Sequence, residues 1–150
     1  MRILHPTDFS QGADRARALA VAMARRLSAE LVLLHVIGPM VTLSDDYRTT
    51  ASLERVRQAR QAWAEAEMER RVLEVRAAGV PVRGLVRVGE PSEEIVRAAA
   101  DEGADLIVMG TAGLGAVGRF LVGSIADRVI RRAHCPVVTT RADSRTGITA

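Results

Sequence analysis

The feature that most constrains this chain is the regular alternation of short apolar runs with longer segments of helical period. The apolar runs are nearly continuous, as in strands that are buried on both faces. The predicted strands cover 2–5, 30–36, 80–88, 105–109 and 136–140, and the predicted helices cover 13–28, 52–78, 92–102 and 123–133. Because parallel neighbours need a crossover between them, this order predicts a doubly wound α/β fold, with a parallel sheet and helices on both faces.

The longest predicted helix, 52–78, has an apolar stripe of its own. Residues at intervals of 3, 4, 3 and 7 lie along one face of a helix. These intervals separate Val56, Ala59, Trp63, Ala66 and Leu73. The spacing therefore predicts a helix over this segment with one apolar side.

The length and composition indicate one domain. A chain of 150 residues with 48% hydrophobic content can bury a core that needs no disulfide or metal. We assign 1–140 to a single domain and 141–150 to a flexible tail, because the last ten residues have no apolar period. The connection 38–52 also lies outside the alternation, and its length is that of loops that are functional lids or simply mobile.

The composition excludes several kinds of chemistry. All 21 basic residues are arginine, so the chain has no lysine for a phosphate-binding loop or a Schiff base. A net charge of only +3 and an aromatic content of 3% argue against nucleic-acid binding, because few side chains could stack on bases. No apolar stretch is long enough to span a bilayer and no secretory signal is present, so we expect a cytoplasmic protein without membrane attachment.

Cysteine and histidine give no sign of a metal or redox site. Cys135 is the only cysteine, so it cannot form an internal disulfide. Beside Pro136, we interpret it as a small apolar residue. The histidines fall on different predicted elements without metal-ligand spacing, and we interpret them as structural. They are His5, His35 and His134.

Open α/β sheets bind ligands beyond the carboxyl ends of their strands. Here those ends read "PTD" (6–8), "HVIGP" (35–39), "GEP" (89–91) and, after the fourth strand, a glycine-rich stretch. Within that stretch, "GLGAVG" fits the G-x-G-x-x-G pattern of dinucleotide-binding proteins. That pattern belongs after the first strand, with an acidic residue about 20 positions further on. Because it follows the fourth strand here and Asp143 lies in the predicted tail, a dinucleotide site is the weaker interpretation.

A second interpretation uses the pattern G-x2-G-x9-G-S, formed by Gly110, Gly113, Gly123 and Ser124. The first two glycines let the backbone leave the strand and approach a ligand without Cβ atoms in the way. Gly123 and Ser124 open the fourth helix, so its free amides and the positive end of its dipole would bind an anion. The Ser124 hydroxyl either caps that helix or bonds a phosphate oxygen.

This spacing, after the run "DLIVMG", resembles the ATP-binding motif of the universal stress protein family. The resemblance covers nearly the whole chain: "ILHPTDFS" (3–10) is similar to the family's first strand and its aspartate-containing turn, "LLHV" (33–36) to its second strand, "GEPSEEIVRAAADEGADLIVMGT" (89–111) to its third helix and fourth strand, and "GSIADRVIRRAHCPVVT" (123–139) to its closing helix and edge strand. It implies a Rossmann-like fold with strand order 3-2-1-4-5, ATP as the ligand, and a homodimer paired through the last strand, Pro136 to Thr140.

The resemblance also implies roles for individual residues. Asp8 would bond the ribose or the adenine, although it also suits a turn before the first helix with Ser10 as the cap. Val36 would contact adenine through its backbone, or it is an ordinary buried strand residue. The first turn would be shaped by Pro6 and Thr7, the base and ribose would contact Met109, Gly110 and Thr111, and the phosphates would be held by Gly113, Gly123, Ser124 and Ile125.

The charge of a triphosphate calls for a cation. Arg119 is the only arginine between the two glycine pairs, and it is either a phosphate ligand or a solvated loop residue. We expect Mg²⁺ to accompany ATP. Asp45 and Asp46, in the 38–52 connection, either help to bind that ion or are ordinary exposed loop acids.

Three functional hypotheses stay open. The first is a regulatory protein that binds ATP and thereby changes the 38–52 connection and the choice of partner. The second is an ATPase on the same site, which would be slow because the sequence offers no well-placed general base. The third is a nucleotide-free dimerising or chaperone-like module, against which the intact glycine pattern argues.

Overall fold

The computed structural model describes residues 1–39, 50–111 and 123–140, and these ranges contain five strands and four helices. In chain order the elements are β1 (Arg2–Pro6), α1 (Gln11–Leu27), β2 (Glu30–Ile37), α2 (Thr50–Ala77), β3 (Val82–Val88), α3 (Pro91–Asp101), β4 (Leu106–Gly110), α4 (Ser124–Arg132) and β5 (Val137–Thr140). All strand pairs are parallel, and the sheet order is β3-β2-β1-β4-β5. The predicted doubly wound fold and the implied strand order are both confirmed.

Two apolar layers cover the two faces of the sheet. Along β1, Ile3 packs in the layer with α1 and α2, whereas Leu4 packs in the layer with α3 and α4. Leu4 lies opposite Val32 of β2 and Ile107 of β4, and all three are fully buried. Because both faces are covered, the central strands are apolar at nearly every position. This burial is why their runs in the sequence are almost continuous.

The observed elements begin and end within two residues of the predicted bounds. Helix α1 shows the reason for the difference. It begins at Gln11 because Ser10 is its N-cap, and the Ser10 hydroxyl accepts a hydrogen bond from Ala13 N at 3.2 Å. It ends at Leu27, after which Ser28 takes the left-handed conformation with a φ of 50°. Apolar periodicity does not report such caps, because they depend on local hydrogen bonds.

Helix α2 packs on the sheet with a different side from its predicted stripe. The buried side consists of Ala64, Met68, Val72 and Val75. The predicted stripe does run along one side of the helix, but that side faces solvent. Its large members are about half exposed, with 43% for Val56, 57% for Trp63 and 55% for Leu73. Because α2 has apolar residues on opposite sides, periodicity alone does not decide which side meets the sheet.

Two predicted segments fall outside this description. The tail 141–150 is one, and most of the 38–52 connection, from 40 to 49, is the other. The longest described helix, α2, has 28 residues and is interrupted by charged side chains throughout. Across the described ranges, no helix has an apolar stretch of the length needed to cross a membrane.

Candidate functional site

The strand order places a crevice at the carboxyl ends of β1 and β4. The chain passes from β1 to β2 on one side and returns to β4 on the other, so the strand order reverses between β1 and β4. Open parallel sheets bind ligands at such a reversal. A cavity of about 460 Å³ lies there, which is within the usual size range of small-molecule sites. It is bordered by the ends of β1, β2 and β4 and by the first turns of α1, α3 and α4.

Ten of the twelve predicted site residues line this cavity. They are Pro6, Thr7, Asp8, Val36, Met109, Gly110, Thr111, Gly123, Ser124 and Ile125. The other two, Gly113 and Arg119, lie outside the described residues, as do Asp45 and Asp46. The fold thus brings together residues from both ends of the chain, and their contacts with a ligand stay a prediction.

The turn after β1 is held by its own side chains. Thr7 Oγ1 accepts a hydrogen bond from Phe9 N at 3.0 Å, and Asp8 Oδ1 accepts one from Ser10 N at 3.0 Å. Phe9 between them has a φ of 62°, a conformation that bulky residues seldom adopt. Asp8 therefore has the turn role, with Ser10 as the helix cap, and it also borders the cavity. The geometry is compatible with both interpretations of Asp8.

Gly123 begins the fourth helix in close contact with the end of β4. Gly123 N donates to Thr111 O at 2.6 Å, and a Cβ atom at position 123 would lie 2.9 Å from that oxygen. This separation is shorter than a real Cβ atom tolerates. Since the φ of Gly123 is an ordinary −60°, the glycine is needed for space rather than for its conformational freedom.

Of the two roles considered for Ser124, the helix cap is wrong, and the contact with a phosphate oxygen stays a prediction. Gly123 is the N-cap of α4, Ser124 is the first helical residue, and no side chain caps this helix. The first turn of α4 borders the cavity through Ser124, Ile125 and Ala126. The amide groups at the start of a helix need acceptors, and the dipole makes this end positive. The first turn of α4 is therefore suited to an anion.

Helix α3 also begins at this cavity, but unlike α4 it has a side-chain cap. Its N-cap is Glu90, whose carboxylate accepts hydrogen bonds from Glu93 N at 2.8 Å and from the Ser92 hydroxyl at 2.6 Å. The Ser92 hydroxyl is the main cause of the lowered pKa of Glu90, which keeps that carboxylate charged. A second anion at α3 would be repelled by this charge. Of the two helix starts, α4 is the one that favours an anion.

Apolar side chains complete the walls of the cavity. Pro91 and Ile95 reach it from α3 and Leu34 from β2, and Ile95 is buried. Pro91 belongs to the strand-end segment "GEP" (89–91), so the sequence indicated that it lies near the ligand edge of the sheet. Ile95 lies one turn into α3, where helical periodicity predicts burial but does not indicate a ligand site.

His35 is a further cavity residue, although we interpreted it as only structural. Its Nδ1 donates to Thr7 O at 2.8 Å, and its ring stacks on Phe9 with the ring centroids 4.4 Å apart. Trp63 of α2 meets Phe9 edge-on at 5.5 Å. His35 thus supports the turn that contains Asp8 and also borders the cavity. Of the three histidines, His35 alone lies in one of the quoted strand-end segments, "HVIGP" (35–39), so its place had a sequence signal.

The described lining of the cavity has little charge. Asp8 is its only acidic residue, and no arginine is part of it. No group of three or more histidine, cysteine, aspartate or glutamate side chains suited to a metal ion occurs in the described ranges. A metal ion here would therefore take most of its ligands from a bound molecule.

The sequence and the structure were both compared with those of known proteins. Residues 1–141 match the Universal stress protein family. A protein of Thermus aquaticus, named "Universal stress protein in QAH/OAS sulfhydrylase 3'region", is 39% identical over 93% of this chain and 97% of its own. Universal stress protein UspA from Lactobacillus plantarum has a similar structure, with a TM-score of 0.80, 30% identity, and coverage of 94% of this chain and 97% of that chain. A universal stress protein solved in complex with cAMP has a TM-score of 0.69, 25% identity, and coverage of 94% and 97%.

Proposed function

Since this chain belongs to the universal stress protein family, we propose that it is a cytoplasmic regulatory protein that binds ATP, with Mg²⁺, in the cavity beyond β1, β2 and β4. Occupancy of the cavity would change the 38–52 connection and, through it, the choice of protein partner. The observation that carries the proposal is the start of α4. There, Gly123 packs on Thr111 O with no room for a side chain, and no cap covers the first turn.

The phosphates would lie at this helix start. The main-chain amides of the first turn of α4 would donate to phosphate oxygens, and the Ser124 hydroxyl, which does not cap the helix, would donate as well. Gly113 would add a further amide, and Arg119 would add the positive charge that the described lining lacks. Mg²⁺ would bind mainly to phosphate oxygens, with Asp45 and Asp46 as candidate additional ligands.

The base and ribose would lie between β1, β2 and β4. Asp8 would accept from the ribose hydroxyls or the adenine amino group, and Val36 would contact the base through its backbone. Ile95 and Met109 would provide the apolar walls on which a purine packs. The relative that was solved with cAMP, at 25% identity, supports an adenine nucleotide as the class of ligand.

We also propose that two copies pair through the last strand, Pro136 to Thr140. β5 lies at the edge of the described sheet, and an edge strand can bond a second copy of itself. Thr140 O accepts from both the amide and the hydroxyl of Thr111, at 3.0 and 3.1 Å. These bonds connect the proposed dimer edge with the rim of the cavity.

Slow ATP hydrolysis is the alternative on the same site. The described lining provides one carboxylate, that of Asp8, and this carboxylate already accepts from Ser10 N. Activation of water requires a general base within hydrogen-bond reach of it. Asp8 in its turn is poorly placed for that role, so we expect hydrolysis to be slow or absent.

The nucleotide that accompanies the purified protein tests the proposal. The protein is denatured, and the supernatant is run on an anion-exchange column, with calorimetric titration of nucleotide-free protein in parallel. Bound ATP supports a regulatory binder, and ADP alone indicates turnover. No nucleotide on the column and no heat on addition of ATP would overturn ATP binding and favour the nucleotide-free module.

The role of Arg119 has its own test. Arg119→Ala should weaken ATP binding more than AMP binding, because the terminal phosphates carry most of the charge that an arginine would neutralise. Arg131→Ala on the exposed side of α4 is the matched control, because Arg131 pairs with Asp127 instead. Equal losses for ATP and AMP would remove Arg119 from the site.

A further inference from the structure

Helix α2 carries a second apolar stripe on the side away from the sheet. We call it the outer stripe. Its apolar members are Val56, Ala59, Trp63, Ala66 and Leu73, and Arg70 occupies the position between the last two. These residues are all exposed, and each lies three or four positions from the next. Alternating intervals of three and four residues are those by which two helices pack along a shared seam. The outer stripe is separate from the cavity and has no part in the proposed nucleotide site.

The extent of the outer stripe sets it apart from ordinary exposed apolar residues. Single apolar side chains are normal on a protein surface, whereas contiguous ones mark interaction sites. The 28 residues of α2 span about 42 Å at a rise of 1.5 Å per residue, which is enough for several turns of contact. Ala59 and Ala66 alternate with Trp63, so small and large positions follow one another along the seam.

The charges beside the outer stripe reverse their sign along the helix. The first half of α2, residues 50–63, contains three arginines and one glutamate and is net positive, whereas the second half, residues 64–77, contains four glutamates and three arginines and is net negative. A helix with this distribution complements an antiparallel copy of itself, because the basic half of each copy lies beside the acidic half of the other. A parallel copy would place like charges together.

We propose that a second copy of this chain docks antiparallel on the outer stripe, about a two-fold axis near residue 64. In this arrangement Val56 of each copy faces Leu73 of the other, and Trp63 faces Ala66 of the other. The interface is isologous, as most dimer interfaces are. It is independent of nucleotide binding and of pairing through the last strand.

Arg60 and Glu67 would form the central ion pairs of this interface. They lie on the same flank of the outer stripe, seven residues apart, so the two-fold axis brings Arg60 of each copy beside Glu67 of the other. Arg60 donates to Gly38 O at 3.1 Å, and Glu67 accepts from Arg70 at 2.8 Å. Neither contact exhausts the side chain, because a guanidinium has five donors and a carboxylate accepts about four bonds.

Trp63 is partly held in place for this contact. Its ring meets Phe9 edge-on at 5.5 Å, so one edge rests on the molecule while more than half of the side chain stays exposed. A side chain that is already restricted loses less rotamer freedom when a partner covers it. Trp63 is also the only tryptophan in the chain, so its fluorescence reports directly on the proposed seam.

The mass of the protein in solution tests the proposal. Sedimentation equilibrium should give the wild type a larger mass than Ala66→Glu and Leu73→Glu, since each variant buries a carboxylate in the apolar seam. Ala22→Glu and Leu27→Glu, at exposed positions of α1, are the matched controls and should keep the wild-type mass. Pairing through the last strand is shared by the wild type and all four variants, so it does not account for a difference in mass between them. A wild type with the same mass as Ala66→Glu at every concentration overturns the proposal and leaves the outer stripe to a different partner.

A charge exchange tests the antiparallel arrangement itself. Arg60→Glu should weaken the association at least tenfold, and adding Glu67→Arg in the same chain should restore it, because the exchange recreates the pair across the axis. Trp63 emission should shift to the red on dilution in step with the loss of mass. No recovery in the double variant, or Trp63 emission that does not change while the mass halves, would overturn the assignment of the seam.

Discussion

At the amino end of the sheet the strands are joined by ion pairs, whereas at the carboxyl end the same strands border an open cavity. Glu30 of β2 accepts from Arg2 of β1 at 2.9 Å and from Arg83 of β3 at 3.0 Å, and Arg83 also pairs with Glu102. Arg2 N donates to Asp105 Oδ2 at 2.7 Å. At this end, each charge that the strands present has a partner within the chain.

At the carboxyl end, backbone contacts take the place of the ion pairs seen at the amino end. Its described lining has a single carboxylate, and its most constrained contact is that of Gly123 with Thr111 O. The helix that starts there has no capping side chain. The two ends thus differ in that charges are paired within the chain at the amino end, whereas at the carboxyl end the amides that begin α4 have no side-chain cap. Four predictions test this division, in order of decreasing effect.

The largest effect concerns His5, the fourth of the five residues of β1. Its fully buried ring donates from Nδ1 to Val108 O at 2.8 Å, and burial lowers its pKa from 6.5 to about 4. The unfolded chain therefore binds a proton first as the pH falls, so the stability that neutral His5 contributes is complete above pH 6.5 and is lost towards pH 4. We expect a loss of about 3 kcal/mol in the free energy of unfolding over this range.

Urea unfolding of the wild type and of His5→Asn at several pH values measures this contribution. Asparagine keeps a donor for Val108 O but does not titrate, so the variant should lose less stability between pH 6.5 and 4. Equal slopes in the two proteins would contradict a buried, neutral His5. Because His5 is not among the residues that line the cavity, nucleotide affinity at neutral pH should differ little between the two folded proteins.

The second effect should appear at the carboxyl end alone. Gly123→Ala places a methyl group 2.9 Å from Thr111 O, which moves the start of α4 and its amides away from the phosphates. We expect nucleotide affinity to fall about a hundredfold, or about 2.7 kcal/mol, measured by calorimetry. Gly38→Ala is the control at the same end of the sheet, because its Cβ has room, 3.9 Å from Pro91 Cγ. Similar affinities for the two variants would show that the backbone at residue 123 does not bind the nucleotide.

The third effect separates the two roles of Asp8. Asp8→Asn keeps an oxygen that can accept from Ser10 N, so the turn should survive and the melting temperature should change little. The loss of the negative charge should weaken nucleotide binding about tenfold, as expected for one hydrogen bond to a charged group. Asp8→Ala should lower both stability and affinity. If Asp8→Asn binds as tightly as the wild type, Asp8 is a turn residue only.

The smallest effect is expected at the amino end. Arg2 and Arg83 hold the pKa of Glu30 below its ordinary value, so the stability it contributes is present above pH 4.5 and is lost at lower pH. Glu30→Gln should lower the free energy of unfolding by about 1 kcal/mol or less, because these pairs are partly exposed and screened by salt. Nucleotide affinity should stay the same. A loss of affinity in Glu30→Gln would mean that the two ends of the sheet are coupled.

Much of the site was predictable because its residues follow strand ends. The turn with Asp8 and the glycines after β4 lie where parallel strands finish, and ten predicted residues do line the cavity. The capping alternative for Ser124 was wrong because a cap depends on where the helix begins by a single residue, whereas its phosphate contact stays a prediction. His35 lies in the strand-end segment 35–39 and so had a signal, although we interpreted it as structural. Ile95 had none, since an isoleucine in a helix is an ordinary core residue in any sequence.

Sequence by itself determined the fold class, because apolar runs that alternate with helical segments have few ways to be buried other than a parallel sheet between two helical layers. It also located the end of that sheet where the cavity lies, since the carboxyl ends of parallel strands share one edge. Tertiary structure alone decided which side of α2 packs on the sheet and why residue 123 must be glycine. Both depend on contacts between segments that are distant in the chain, with Met68 against β3 and Gly123 against Thr111 O, and local periodicity carries no record of such contacts.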